Sequence, residues 1–389
     1  MIVRQFISWI RHAPAGERAE ATRALARAWL ISDLSIDDRI AAEGALLLML
    51  DDPAAQVRQA IAEVFASTPD APPTIVRALA SDQASVALPV LEFSPLLLDA
   101  DLVDIVATGD NAVQCAVARR FQLPAAVCAA IAEVGSPAAA LELIENPHAE
   151  LAPFSWDRIV ERHGHLAAIR ESMLALPDLP AATRLALVAK LSDTLQQFVV
   201  ARGWLSADRA ARATGEAMDR STIAIAARAR GADIAALMRH LRQSGTLTAG
   251  LILRALLSGN LPLVEHALAE LSGTAPARVA ALLADGGRAS LNALLGRAGL
   301  PETVFPAFRA ALAAEREIGF VANESGAARL RRRMVERVLT QCETDADAAG
   351  PLLILLRRFA TEFAREEAAA LRDEVIAEEA SWRYAPVAA

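Results

Sequence analysis

The fold class is decided by the stretch Leu50-Asp-Asp-Pro-Ala-Ala-Gln-Val57-Arg58-Gln-Ala60-Ile61-Ala-Glu-Val64-Phe65. The Asp and Pro residues at its start favour a turn, because both residue types suit turn backbone conformations. Val57, Ile61, Val64 and Phe65 then recur at the three- and four-residue spacing of a helix with one buried face. The stretch therefore predicts a turn followed by a short amphipathic helix.

Two further helices are predicted before this turn. The first begins at Pro14-Ala-Gly16 and runs to about Leu30. The second begins after Ser35, which is followed by Asp38 as in an acidic variant of the capping box, and runs to Leu50. This part of the chain is expected to form two antiparallel helices.

Similar turn and helix segments recur after Phe65. Their apolar anchor positions are Val57, Val86, Val113 and Ala139, which lie 29, 27 and 26 residues apart. Such a period suits two short helices per unit, and a single unit of this size cannot bury its apolar face alone. The pattern therefore predicts a stacked, short-repeat α-solenoid.

The segment Asp51–Phe65 resembles the second helix of the HEAT repeat family. The resemblance rests on the Asp-Pro turn, the adjacent Val57-Arg58 pair and the apolar spacing that follows them. It implies helix pairs stacked side by side, with an extended surface of the kind that binds peptides and protein faces.

Residues after about 180 follow a different pattern, in which predicted helices alternate with glycine-centred turns. Glycine is expected at helix C-termini because it adopts a left-handed backbone without steric cost. These turns contain Gly203, Gly231, Gly245, Gly259, Gly273, Gly286-Gly287 and Gly299. The pattern predicts a helical domain with glycine-capped helices.

Several segments resemble a bacterial family catalogued only as a domain of unknown function. They are Leu256–Leu271, Leu282–Gly287, Ala298–Pro301, Arg162–His165 and Val199–Trp204. The resemblance covers most of residues 1–320. Its motifs are packing and turn residues, so it implies an α-helical fold and carries over no activity and no site.

We therefore expect an all-α chain with three regions: HEAT-like repeats over 1–180, a helical domain over 181–320, and C-terminal helices or a tail over 321–389. In the last region a helix from Gly350 to about Glu379 places Leu352, Leu356, Phe359 and Phe363 on one stripe. The stripe is suited either to docking on the body or to pairing with another helix.

The composition agrees with an all-α chain. Hydrophobic residues make up 54% of the 389 residues but aromatic residues only 4%, so Ala and Leu, both strong helix formers, dominate. The net charge is −8, whereas nucleic-acid-binding proteins usually carry excess positive charge to neutralise phosphates. We therefore do not expect a nucleic-acid partner.

The positive charge is concentrated in residues 201–300, which hold 12 Arg against 7 Asp or Glu. Guanidinium groups suit carboxylates and phosphates, so this basic island is the candidate binding surface for an acidic partner. The candidate partner-binding residues are Arg209, Arg212, Arg220, Arg228 and Arg230. Two other interpretations stay open: a solvated helix surface paired with acids of the same chain, and a site for a nucleotide or nucleic-acid phosphate.

Three further segments contain residue types that occur at chemical sites. His163-Gly-His165 is expected to be a structural turn, because a spacing of two does not align side chains on a helix and no third metal ligand is near. His266 is expected on a helix face rather than in phosphotransfer, and Asp285-Gly-Gly-Arg288 as a turn rather than a phosphate loop. The sequence predicts no catalytic residue, no metal site and no cofactor.

The cellular location is predicted to be cytoplasmic. Cys115, Cys128 and Cys342 suit small core positions in a reducing compartment, and the N-terminus lacks the pattern of a signal peptide. No uncharged run reaches the length of a membrane span. The apolar residues of the first helix, Ile2, Phe6, Trp9 and Ile10, are expected to cap the next helix pair, with a membrane surface as the alternative.

The function expected from these observations is a non-catalytic scaffold or adaptor that binds another protein with an acidic surface, in bacterial signalling or regulation. The alternative is an enzyme, or a regulator that binds a small molecule or nucleotide, with a dispersed site in the second helical domain. A deep pocket lined by convergent polar groups would favour this alternative.

Overall fold

The computed structural model describes residues 6, 8–10, 12–318, 324–344 and 350–383. These residues form an all-α structure, as predicted, and their only β feature is an isolated bridge between Leu123 and Ala149. The chain divides into two compact units, Met1–Leu179 and Pro180–Ala389.

The first unit consists of short helices joined by tight turns. They are α1 (Ala15–Ile31), α2 (Ile36–Met49), α3 (Ala55–Phe65), α4 (Pro73–Ala80), α5 (Ala84–Phe93), α6 (Asp99–Thr108), α7 (Asn111–Ala118), α8 (Ala125–Val134), α9 (Pro137–Glu145), α10 (Pro153–His163) and α11 (Ala167–Ala175). The N-terminus of α2 forms as predicted, because the Ser35 hydroxyl accepts a hydrogen bond from the Asp38 amide at 3.2 Å.

Alternate helices of this unit pack on one another. Contacts join α1 to α3, α3 to α5, α5 to α7, α7 to α9 and α9 to α11, and a second row joins α6, α8 and α10. The predicted anchors Val57, Val86, Val113 and Ala139 fall on α3, α5, α7 and α9, so each predicted unit does contain two helices. The HEAT-like solenoid itself stays a prediction.

Arginine–carboxylate ion pairs link segments of this unit that are distant in the sequence. Arg18 donates two hydrogen bonds to the Asp52 carboxylate, at 2.8 and 2.7 Å, and Arg58 donates two to Asp82. The Arg58 Nη1 atom also donates to the main-chain oxygen of Asp52 at 2.5 Å. The stretch that decided the fold class is therefore bonded to helix α1 through Asp52 and to the turn before α5 through Arg58.

The second unit begins with two longer helices and ends with two more. Its helices are α12 (Ala181–Ala201), α13 (Ala207–Arg228), α14 (Ala232–Gln243), α15 (Ala249–Leu257), α16 (Leu261–Ser272), α17 (Pro276–Asp285), α18 (Arg288–Arg297), α19 (Phe305–Ile318), α20 (Glu324–Thr344) and α21 (Gly350–Arg383), with a 3₁₀ turn at Glu302–Val304. Seven of the glycines have positive φ: Gly203, Gly231, Gly245, Gly259, Gly273, Gly286 and Gly299. Six of them follow a helix C-terminus as predicted, whereas Gly231 is the N-cap of α14.

The C-terminal helices belong to the core of this second unit. Met334 and Val338 of α20, and Leu356, Phe359 and Phe363 of α21, are buried in one cluster with residues of α14 to α19. Of the two interpretations of the α21 stripe, the structure shows docking on the body. The helices after residue 321 thus share the core of residues 181–320.

At the chain start the structure describes only part of the predicted capping helix. Ile10 is buried, Phe6 is half-buried and Trp9 is exposed, whereas Ile2 lies outside the described residues.

All three cysteines are buried and form no disulfide.

Candidate functional site

The basic island begins on an exposed helical hairpin made of α12 and α13. The buried residues of α12 all lie in its first two turns, at Ala181, Thr183, Leu185 and Leu187. In the first half of α13 only Ala210 is buried. The far end of this hairpin, where α12 ends and α13 begins, therefore presents most of its side chains to solvent.

The loop between the two helices exposes a tryptophan. Gly203 has a φ of +68° and ends α12 in a Schellman motif, in which the amide of Trp204 donates to the carbonyl of Val199 at 3.0 Å. The Trp204 side chain is 65% exposed and packs edge-on against Phe198, with 5.5 Å between ring centroids. The neighbouring side chains of Leu195 and Leu205 are exposed as well.

Three arginines belong to the same end of the hairpin as this apolar cluster. The guanidinium carbon of Arg202 lies 5.1 Å from the centroid of the Phe198 ring, a cation–π contact. Arg209 and Arg212 are exposed, three residues apart on α13, and neither forms an ion pair within the part of the chain that the structure describes. We call this surface the hairpin tip; it comprises Leu195, Phe198, Arg202, Trp204, Leu205, Arg209 and Arg212.

The acids of the basic island do not neutralise Arg209 and Arg212, because most of them are engaged elsewhere. Glu216 pairs with Arg358 of α21 at 2.7 Å, and Asp219 lies 3.7 Å from Arg254. Asp233 accepts a hydrogen bond from the Ala181 amide at 2.9 Å. Asp208 is the acid of the island that stays exposed beside the hairpin tip.

The other predicted arginines lie away from the hairpin tip. Arg220 pairs with Glu362 of α21 at 3.2 Å, and its side chain stays 49% exposed. Arg228 is exposed, and Arg230 donates from Nη1 to the carbonyls of Ala227 and Ala229. The five predicted residues therefore do not form one surface.

Arg220 and Arg230 instead line a pocket of about 730 Å³ within the second unit. Its walls come from the second half of α13, the start of α14, the end of α15, the start of α16, and from α20 and α21. The polar lining side chains include Arg220, Arg230, Arg254, Arg331, His266 and Glu366; the apolar ones include Ile223, Ile234 and Phe363. We call this cavity the arginine pocket.

Arg254 lies at the buried wall of the arginine pocket. Its side chain is 1% exposed, its Nη1 donates to Glu362 at 2.7 Å, and its guanidinium lies 4.5 Å from the Phe359 ring centroid. Its Nε and Nη2 atoms are buried without a hydrogen-bond acceptor. Burial raises the pKa of the nearby Asp219 carboxyl, and the positive charge of Arg254 opposes that shift.

Arg254 was not among the site residues predicted from the sequence, although its position in an apolar run could have indicated it. It is the charged residue within the otherwise apolar run Leu251–Leu257, all of which is buried in α15. An arginine inside such a run must find partners in the interior, because an unpaired buried charge is costly. Its partner Glu362 is 108 residues away, so only the fold brings the pair together.

The structure also describes the two other motifs singled out in the sequence. His163 is buried with its Nε2 atom 3.3 Å from the Gly135 carbonyl, whereas His165 is exposed, so the two rings do not converge. Asp285–Arg288 forms the turn between α17 and α18. In the described ranges no three His, Cys, Asp or Glu residues are grouped as metal ligands would be.

None of the described helices combines the length and the apolar character needed to cross a membrane.

The chain belongs to a family described as an uncharacterised protein conserved in bacteria (DUF2336), whose family model matches residues 86–346. The match begins later and ends later than the resemblance over residues 1–320. No curated protein and no solved structure matches the chain significantly.

Proposed function

We propose that this member of the DUF2336 family is a non-catalytic adaptor that binds another protein through the hairpin tip. The observation that carries the proposal is the exposed Trp204 and Phe198 cluster, at a hairpin end whose arginines form no ion pair with any described residue. Trp and Arg are the residue types most enriched among the few that dominate protein–protein binding energy.

The apolar part of the hairpin tip supplies binding energy. An aromatic side chain of this size buries roughly 150–250 Å² when covered, and burial contributes about 25 cal/mol per Å². Covering the exposed part of Trp204 is therefore worth on the order of 2–4 kcal/mol. The Schellman turn and the contact with Phe198 hold the ring in place, which lowers the entropy lost on binding.

The charged part of the hairpin tip selects the partner. The chain as a whole is acidic, so a basic, partly apolar surface on it favours a partner with an acidic patch beside an apolar pocket. Exposed charges of this kind act mainly on the association rate, and salt screens them. We therefore propose an acidic protein surface as the partner.

The proposal is tested by capture from a bacterial lysate with the full chain as bait. The variant Arg209→Ala/Arg212→Ala removes two charges from the hairpin tip, and Arg228→Ala/Arg239→Ala removes two exposed charges elsewhere in the second unit. At low ionic strength we expect a set of proteins whose recovery falls roughly tenfold with the first variant and not with the second.

The same comparison at high ionic strength should show a smaller difference, because salt screens the lost charges. Far-UV circular dichroism should be unchanged for both variants, since exposed charges contribute little to stability. Equal recovery with both variants would show that the hairpin tip is a solvated surface and would overturn the proposal.

A further inference from the structure

The arginine pocket has no role in the proposed adaptor function. We propose that it binds a small organic phosphate, with the phosphate held by arginines and the organic part by the apolar wall. Its volume of about 730 Å³ lies within the range of pockets that hold small molecules.

The pocket holds more positive than negative charge. Four arginines line it, and one of them, Arg331, lies 3.6 Å from the lining carboxylate of Glu366. Arg220 and Arg254 both donate to the same atom, Oε1 of Glu362, at 3.2 and 2.7 Å. Asp219 also lies 3.7 Å from Arg254, so the four arginines face three nearby carboxylates, Asp219, Glu362 and Glu366, and keep an excess of positive charge.

The buried arginine also lacks acceptors. Arg254 has five N–H donors, but its Nε and Nη2 atoms are buried without a hydrogen-bond acceptor. Leaving such donors unpaired costs free energy, and the cost is larger for a charged group. A phosphate in the pocket would place negative charge beside this buried cation.

Accessible donors lie nearer the solvent. Arg230 is exposed and uses only Nη1 for its two bonds to main-chain carbonyls, so its Nε and Nη2 atoms can bind a ligand. Guanidinium groups bind phosphate oxygens in pairs, through short charge-assisted bonds.

Two helices begin at this pocket. Gly231 precedes α14 and Asn260 precedes α16, both of which are twelve residues long, and both residues line the cavity. The N-terminus of a helix carries partial positive charge, which adds to the attraction for an anion. The side chains of Ile223, Ile234 and Phe363 supply the apolar wall for the organic part.

The test is isothermal titration calorimetry of the full chain with phenyl phosphate, inorganic phosphate and benzoate. We expect phenyl phosphate to bind most tightly, because it offers both a dianionic group and an apolar ring. Arg230→Ala should weaken it roughly tenfold through the loss of a charge-assisted hydrogen bond. Arg228→Ala is the matched control, since Arg228 is equally exposed but does not line the pocket.

A second variant addresses the buried position. Arg254→Lys keeps the positive charge but loses the planar fork, so it should also weaken phenyl phosphate, with the helical circular dichroism signal retained. The proposal is overturned if phenyl phosphate gives no binding, or if Arg228→Ala weakens it as much as Arg230→Ala. It is overturned as well if benzoate binds as tightly as phenyl phosphate, because the site would then not select phosphate.

Discussion

Gly286 occupies a position where both the backbone conformation and the neighbouring Arg316 side chain favour glycine. It follows α17 with a φ of +67°, in the left-handed region that glycine adopts without cost. The Arg316 guanidinium lies directly against it, and its Nη2 atom donates to the Leu283 carbonyl at the end of the same helix. The absent side chain therefore makes room for an arginine that satisfies a C-terminal carbonyl.

Replacing Gly286 with Ala should destabilise the second unit. The left-handed backbone costs an alanine roughly 1 kcal/mol, and its Cβ would clash with the Nη1 atom of Arg316, so the guanidinium must move away. We expect a lower thermal unfolding midpoint, measured by circular dichroism.

Gly215→Ala is the matched control for this change. Gly215 lies inside α13, is exposed, and has no atom within 4 Å of an added Cβ. Alanine there favours the helix by up to about 1 kcal/mol, so this midpoint should rise. A Gly286→Ala midpoint at or above that of the original chain would contradict the account of the turn.

At the scale of elements, the turns of the first unit are joined by arginine–carboxylate pairs. Arg58 of α3 reaches the turn before α5, where its Nε and Nη2 atoms lie 2.5 and 2.9 Å from the Asp82 carboxylate. The hydrogen bonds from Arg58 hold the pKa of Asp82 below its usual value, although partial burial opposes the shift. Folding therefore favours the ionised carboxylate.

Asp82→Asn should weaken the first unit in a pH-dependent way. Because the folded pKa is lowered, the stabilisation is fully present above the unfolded value of about 3.9 and is lost as the pH falls through the folded value. We expect a loss of roughly 1–3 kcal/mol at neutral pH, seen by urea unfolding, and little difference from the original chain in strong acid.

Asp70→Asn serves as the control, because Asp70 is an exposed acid in the same unit. It should change the neutral-pH stability by less than about 0.5 kcal/mol. If Asp82→Asn were as mild as this control at neutral pH, the pair with Arg58 would not be a stabilising link between turns.

Local features of the elements could be predicted, and long-range pairings could not. The Ser35 cap and the glycine turns involve only residues close together in the chain, so the local sequence is enough to predict them. The pairing of Arg220 with Glu362 spans 142 residues, so it could not be predicted before α21 was placed. The arginine pocket depends on the same packing.

At the scale of the whole molecule, an acidic chain carries at its hairpin tip an exposed surface that is both basic and aromatic. Sequence reasoning found Arg209 and Arg212 from charge alone, but it did not connect them to Trp204 and Phe198. That connection follows from the hairpin, whose far end contributes little to the core. The central claim is that this end contacts a partner protein.

The most direct measurement is site-specific photo-crosslinking in bacterial cells, with p-benzoylphenylalanine placed either at position 204 or at position 228. Both side chains are exposed, but only position 204 lies in the hairpin tip. The account predicts a discrete crosslinked product from position 204 that disappears when Arg209 and Arg212 are also replaced with Ala, and none from position 228. The absence of a product at position 204, or the same product from both positions, would contradict it.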